Sequence, residues 1–75
     1  MKEGKLSYNY ENDRYGIINN SDLWAVDGLH RGDTFAVLVN DEWLKDRIEM
    51  DRSGTWYLVN SKLESIQLEG IKVKY

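Results

Sequence analysis

Few side chains in this sequence could carry covalent or acid–base chemistry. There is one histidine, His30, and no cysteine. A hydrolytic centre needs a nucleophile, a base and an orienting group that converge, and His30 lies in an expected loop with no partner at a recognisable spacing. Thirteen Asp and Glu residues could in principle supply an acid and base pair, but none sits at a spacing that marks one, and a domain this small rarely encloses a substrate pocket. No catalytic residue is assigned and an enzyme is not expected. One histidine without cysteine excludes the common zinc constellations. Glu11-Asn12-Asp13 lacks the residue order of a calcium loop and reads as a turn whose side chains bond the local backbone. Gly28 and Gly32 lack the Gly-x-x-x-x-Gly-Lys context that cradles a nucleotide, so no metal and no cofactor is implied. Arg31-Gly32-Asp33 spells an adhesion tripeptide, but Gly-Asp just before a β-run is turn chemistry that launches the Phe35 strand.

The residues that could recognise something are aromatic and basic. Three Trp, five Tyr and one Phe each bury about 150 to 250 Å² when interior, more than so small a core accommodates, so some are expected at the surface. Tyr8, Tyr10 and Tyr15 flank the first turn, where they could present an aromatic shelf to an extended peptide. Tyr57 is expected to join them on the outside. A second candidate is a basic face made by Lys45 and Arg47 on one strand and Lys72 and Lys74 on another, with Trp43 beside them to stack a base or meet a cation. Asp46 and Glu49 dilute it. The bland alternatives are rings that cover the ends of the fold and a solvated strand face whose lysines discourage edge-to-edge pairing.

These residues must be positioned by one small domain spanning residues 1–75. Without cysteine or a zinc site, stability must come from packing. The chain is 41% hydrophobic and 31% charged, a composition ordinary for a folded globular protein. Its net charge of −3 is unlike that of a non-specific phosphate binder and too mild for a nucleic-acid mimic. The longest apolar run, Phe35 to Val39, is far short of the roughly 20 residues that span a bilayer. Residues 1–20 hold no apolar segment behind a basic start, so no membrane association and a cytoplasmic location are expected.

Asn, Asp and Gly cluster every roughly 8 to 12 residues, the spacing of turns between short strands. Between the clusters lie Lys5 to Tyr8, Arg14 to Ile18, Leu23 to Val26, Phe35 to Val39, Trp43 to Met50, Thr55 to Val59 and Ile71 to Tyr75. In the last, Ile71, Val73 and Tyr75 alternate with Lys72 and Lys74, the period of a half-buried strand. Phe35 to Val39 is apolar on both faces and is expected to be central and covered on both sides. In Trp43 to Met50 a pure alternation would bury Asp46, so a bulge near Lys45 and Asp46 is expected, with Trp43 facing the core at one end and Ile48 and Met50 at the other. Gly54 is expected to close a hairpin at positive φ. Ser61 to Gln67 reads as a single helical turn. Adjacent strand residues point oppositely, so one of Trp56 and Tyr57 is core; Trp56 shares its face with Leu58 and is assigned inward. The expected fold is an all-β, antiparallel SH3-like barrel of five to seven short strands with at most one short helical turn, its core centred on Leu6, Ile17, Phe35, Val37, Val39, Ile48, Leu58 and Val73.

Lys5-Leu6, Arg14-Tyr15, Gly32-Asp33-x-Phe35, Trp43 with Arg47-Ile48-Glu49, Gly54-x-Trp56-Tyr57-Leu58 and Leu68-x-Gly70-x-x-Val73 resemble, over nearly the whole chain, a family of small uncharacterised proteins of Gram-positive bacteria. The resemblance implies an SH3-like barrel carried on phages and other mobile elements, and it implies no mechanism. The function expected is a non-enzymatic module that binds a protein or peptide through exposed aromatics. The alternative is a nucleic-acid-associated accessory that uses the basic face. The oligomeric state is left open.

Overall fold

All 75 residues are described by the structure, a computed structural model. Seven strands form in chain order: β1 (Glu3–Asn9), β2 (Arg14–Ile18), β3 (Trp24–Val26), β4 (Thr34–Val39), β5 (Glu42–Met50), β6 (Trp56–Leu58) and β7 (Lys72–Lys74). One 3₁₀ turn, Ser65–Leu68, separates β6 from β7. Every strand pair is antiparallel, and the strands lie in the order β3-β2-β1-β7-β4-β5-β6. The last strand thus returns to sit between the first and the fourth, and it has the one buried face that the alternation of its lysines suggested. All seven apolar segments read from the sequence become strands.

Short polar side chains make the turns. Asn40 and Asp41 take φ of 51° and 64° between paired Val39 and Glu42, the two-residue hairpin geometry that Asn and Asp tolerate. Asp51 Oδ1 accepts hydrogen bonds from the Ser53 hydroxyl at 2.6 Å, Ser53 N at 2.9 Å and Thr55 N at 3.0 Å, while Gly54 supplies a φ of 88°. The Ser53 hydroxyl and the Thr55 amide hold the Asp51 carboxyl below its ordinary pKa. The Arg31-Gly32-Asp33 segment is a turn as expected: His30 N donates to Asp33 Oδ2 at 2.8 Å, and Asp33 N donates to His30 O at 3.0 Å. It is strapped to β5 by Gly32 N to Ile48 O at 2.8 Å and Ile48 N to Asp33 O at 3.0 Å.

Seven of the eight expected core residues, Leu6, Ile17, Phe35, Val37, Ile48, Leu58 and Val73, are buried, and Val39 is half-buried at the end of its strand. Four more complete the core: Tyr15, Leu29, Trp56 and Leu68. Trp56 is inward as assigned. Leu29 and Leu68 come from a loop and the 3₁₀ turn, where no period betrays direction. That turn lies later than expected, with Leu68 inward and Ile66 exposed, because Tyr15 OH holds Ser65 through its carbonyl at 2.9 Å and Ile71 N donates to Leu68 O at 3.2 Å. β4 is central, but only Phe35 and Val37 are buried. Ala36 and Leu38 on its second face remain half-buried, so that face is bordered rather than covered.

The expected bulge in β5 does not exist. β5 pairs with β4 without interruption from Glu42↔Val39 to Arg47↔Thr34. Strict alternation therefore sends Asp46 inward, at 2% exposure, and Trp43 outward. The carboxylate is tolerated because three backbone amides converge on it: Asn60 N at 2.7 Å and Arg47 N at 2.9 Å donate to Oδ1, and Ser61 N at 2.9 Å donates to Oδ2. The buried Ser61 hydroxyl lies near the same carboxylate but makes no hydrogen bond. Burial pushes the Asp46 pKa upward, and the amides outweigh it, leaving the group below its ordinary value. A buried charge can thus be offset by oriented amides in place of a cation.

The sheet does not close, since no ladder joins β3 to β6. The β6 end is instead tied to the β1–β2 hairpin by side chains: Trp56 Nε1 donates to Asp13 O at 3.3 Å, alongside the Tyr15–Ser65 bond. Gly16 allows the curl at the β3 end, because a Cβ there would sit 2.3 Å from Val26 O and 2.8 Å from the Trp24 ring.

Two outcomes follow for stability. Trp56→Ala should lose roughly 3 to 5 kcal/mol while Tyr57→Ala stays folded, a contrast read from thermal melts. Asp46→Asn, which cannot accept all three amides, should lose roughly 2 to 4 kcal/mol at neutral pH. Because the folded pKa of Asp46 is depressed, its stabilisation is present above the unfolded value of about 3.9 and lost as pH falls through the folded value. Urea midpoints for wild type and Asp46→Asn should therefore converge towards acid.

Candidate functional site

The aromatic residues gather where the sheet curls towards itself. Pairing of β1 with β2 places Tyr8 directly opposite Tyr15, so their rings meet edge-to-face at 5.1 Å and 75°. Tyr10 follows at the hairpin tip, 4.9 Å from Tyr8 at 71°, and is 84% exposed. The facing wall is Trp56, which the β5–β6 register sets opposite Met50. Tyr8, Tyr15 and Trp56, with Gly54, Thr55 and Ser65, line a cleft of about 220 Å³. The Arg14 guanidinium stands 5.8 Å from the centre of the Trp56 ring, within cation–π range.

The rings are held by their polar ends. Tyr8 OH donates to Asp13 Oδ1 at 3.2 Å, and Tyr15 OH and Trp56 Nε1 are tied to Ser65 O and Asp13 O. Asp13 can serve both because it takes a left-handed conformation, φ 57°, at the turn, which Asp tolerates. Tyr8 N donates to Glu69 Oε1 at 2.9 Å, bringing a second carboxylate to the rim. Desolvation, then the bond to Asp13 and its charge, raises the Tyr8 phenol above its ordinary pKa; desolvation, with Glu69 next, raises that of Tyr15.

Tyr8, Tyr10 and Tyr15 are therefore brought together as their spacing suggested, but Tyr15 is the floor of the cleft and not a surface ring, being 5% exposed. Its face is shared with core residue Ile17, so alternation along β2 turns it inward. Tyr57 does not join the cluster. It lies on the other side of β6 from Trp56, paired with Glu49 and bridged to Glu64. Sequence reasoning placed Trp56 in the core and missed that its edge also lines the cleft. No local signal marked it, because the cleft exists only where the sheet stays open.

The second candidate cluster is also assembled, on the outward face of β1, β7, β4 and β5. Lys45 and Lys74 both stand opposite Ala36, Trp43 opposite Leu38, and Arg47 opposite Thr34. Lys72 stands opposite Lys5, a cation the sequence reading left out. Lys74 Nζ lies 4.3 Å from the centre of the Trp43 ring, and Arg47 Nε pairs with Glu49 at 3.0 Å. Asp46 points to the core and does not dilute this face.

The geometry defines a class: a small all-β domain of one curled antiparallel sheet, with an aromatic cleft on one side and cations on the other. Residues 4–75 match a family described as a domain of unknown function, DUF5348, and the chain belongs to that family. A crystal structure of a protein from Ruminococcus gnavus, a structural-genomics target, is similar with a TM-score of 0.80 and 39% identity, covering 99% of this chain and 100% of that one. No curated protein matches.

The cleft makes a spectroscopic signature. Two of the five tyrosines should titrate above the ordinary phenol range in an ultraviolet pH titration, and Asp13→Asn should lower the Tyr8 step alone. Raised folded pKa values carry stability that is present below the unfolded value of about 10 and lost as pH rises through the folded ones, so melting temperatures should fall in strong alkali.

Proposed function

We propose that the protein is a non-enzymatic binding module that takes an extended peptide segment of a partner protein in the Tyr8–Tyr15–Trp56 cleft, with Tyr10 standing beside it. One observation carries the reading: Tyr10 is left almost wholly in solvent at the end of a ladder of edge-to-face tyrosines whose inner members are locked by hydrogen bonds. Rigid aromatic rings beside an open cleft offer large contact area at little cost in conformational entropy, and they recognise extended chains in other small β-domains. Asp13 and Glu69 at the rim, with Glu11 beside Tyr10, favour a peptide that carries Lys or Arg. The setting goes with the sequence resemblance: an SH3-like accessory in the cytoplasm of Gram-positive bacteria, carried on phages or other mobile elements.

A library of extended peptides displayed on phage, selected on the folded domain, tests this reading. Selected sequences should contain a basic residue, and Tyr10→Ala should weaken their binding roughly 30-fold, the effect of about 2 kcal/mol at a contact hot spot. That variant should keep the wild-type melting temperature. Selected peptides that bind Tyr10→Ala and Tyr8→Ala as well as wild type would sink the reading.

A further inference from the structure

The outward sheet face of β1, β7, β4 and β5 is electrostatically unlike the rest of the molecule. It holds Lys5, Lys45, Arg47, Lys72 and Lys74, half of the ten cations in the chain, against two carboxylates, Glu3 and Glu49. Its net charge is +3 in a chain whose total is −3, so the remainder carries −6. Segregation of this kind does not follow from folding, because the register that builds the core says only which residues point outward and nothing of their sign. Arg47 is committed to Glu49 at 3.0 Å. Lys5, Lys45, Lys72 and Lys74 have no carboxylate within ion-pair distance.

An aromatic ring stands inside this field. Trp43 remains 38% exposed on a strand where its neighbours on the same face are Lys45 and Arg47. The Lys74 ammonium rests over the ring at 4.3 Å, so an anion drawn to Lys74 arrives beside the indole. Trp43 and Lys45 also line a cleft of about 480 Å³, mostly apolar, with Met1, Phe35, Ala36 and Tyr75. Cations without an ion-pair partner along one sheet face, with an aromatic ring and an apolar cleft among them, match the two needs of a single-stranded nucleic acid: charge for the phosphates and a π-face for a base. A duplex offers no free base face to Trp43, whereas a single strand does.

We infer that this face binds single-stranded nucleic acid, with Lys5, Lys45, Lys72 and Lys74 on successive phosphates and a base against Trp43. The site is separate from the tyrosine cleft and stands whether or not a peptide binds there. The acidic remainder repels nucleic acid and confines contact to this one face.

Fluorescence anisotropy with a labelled oligothymidylate of about 15 nucleotides tests it. Neutralising four phosphates of a single strand gives a logarithmic salt slope of about −2.8, so affinity should fall about 50-fold between 50 and 200 mM salt. The double variant Lys45→Glu, Lys72→Glu should lose more than roughly tenfold at 50 mM. The matched double variant Arg31→Glu, Arg52→Glu makes the same charge change at exposed positions off the face and should bind within about twofold of wild type. Trp43→Ala should weaken binding by roughly five- to a hundred-fold while leaving the salt slope unchanged. Melting temperatures confirm that each variant is folded. No binding at 50 mM salt, equal losses in the two double variants, or cosedimentation with phosphatidylserine vesicles as tight as oligothymidylate binding would each overturn the inference.

Discussion

One buried carboxylate sets the geometry on which the rest depends. Asp46 lies on the core side of β5 among apolar neighbours, and no cation accompanies it. The amides of Arg47, Asn60 and Ser61 converge on it instead. An isolated ionised carboxylate in an apolar medium is prohibitively costly, and three charge-assisted bonds of a fixed backbone offset that cost. The arrangement binds two distant stretches of chain at once, because Asn60 and Ser61 lie beyond β6 while Asp46 lies midway along β5. Asn60 adds a further bond from its side-chain amide to Lys45 O at 2.7 Å, and Val59 N donates to Arg47 O at 3.0 Å. The chain after β6 is thereby laid along β5 and cannot swing away.

Both candidate surfaces follow from this. With Asp46 inward, a period of two places Trp43, Lys45 and Arg47 outward together, and the face they share with Lys72 and Lys74 exists for that reason. A slip of one residue would exchange the two sets and bury a tryptophan among lysines. On the inner side, the same clamp holds β6 in register, so Trp56 meets the β1–β2 hairpin and completes the wall of the cleft. The remaining turns are set locally by Asp and Asn side chains, and Asp46 is the one buried carboxylate among the polar contacts that join distant segments, alongside the Tyr15–Ser65 and Trp56–Asp13 bonds. Asn9, the other buried polar residue, acts closer to the surface, donating to Asp27 O at 2.9 Å and accepting from Glu11 N at 3.0 Å.

Much of the fold could be read from the residues because strand alternation and turn chemistry are local. Ile71-Lys72-Val73-Lys74-Tyr75 shows its buried face in five residues, and Asn40-Asp41 or Ser53-Gly54 announce their turns. Asp46 was the point of failure. Reasoning from solvation alone moves a charge out of the core, and here that reasoning called for a bulge; two of the three amides that make burial tolerable lie 14 and 15 positions away and leave no mark in the local pattern. Tyr15 was misread for a related reason. Its partner Ser65 is 50 positions away, so a residue beside a turn looked like surface. The tyrosine cluster and the basic face were nevertheless legible, since each is built from residues at i, i+2 on strands whose neighbours could be inferred. Lys5 escaped because its place opposite Lys72 depends on where β7 enters the sheet. The open seam between β3 and β6 escaped as well, since strand count says nothing about closure.

The claim that most of the structure rests on is that Asp46 is ionised while buried. A carboxyl-carbon NMR titration of the folded protein measures this directly. The Asp46 resonance should titrate below the ordinary aspartate value of about 3.9, and the Asn60 and Ser61 amide protons should move upfield in step as their acceptor is protonated. A midpoint at the ordinary value, with those amides unmoved, would show a solvent-facing Asp46 and contradict the register of β5 together with both surfaces derived from it.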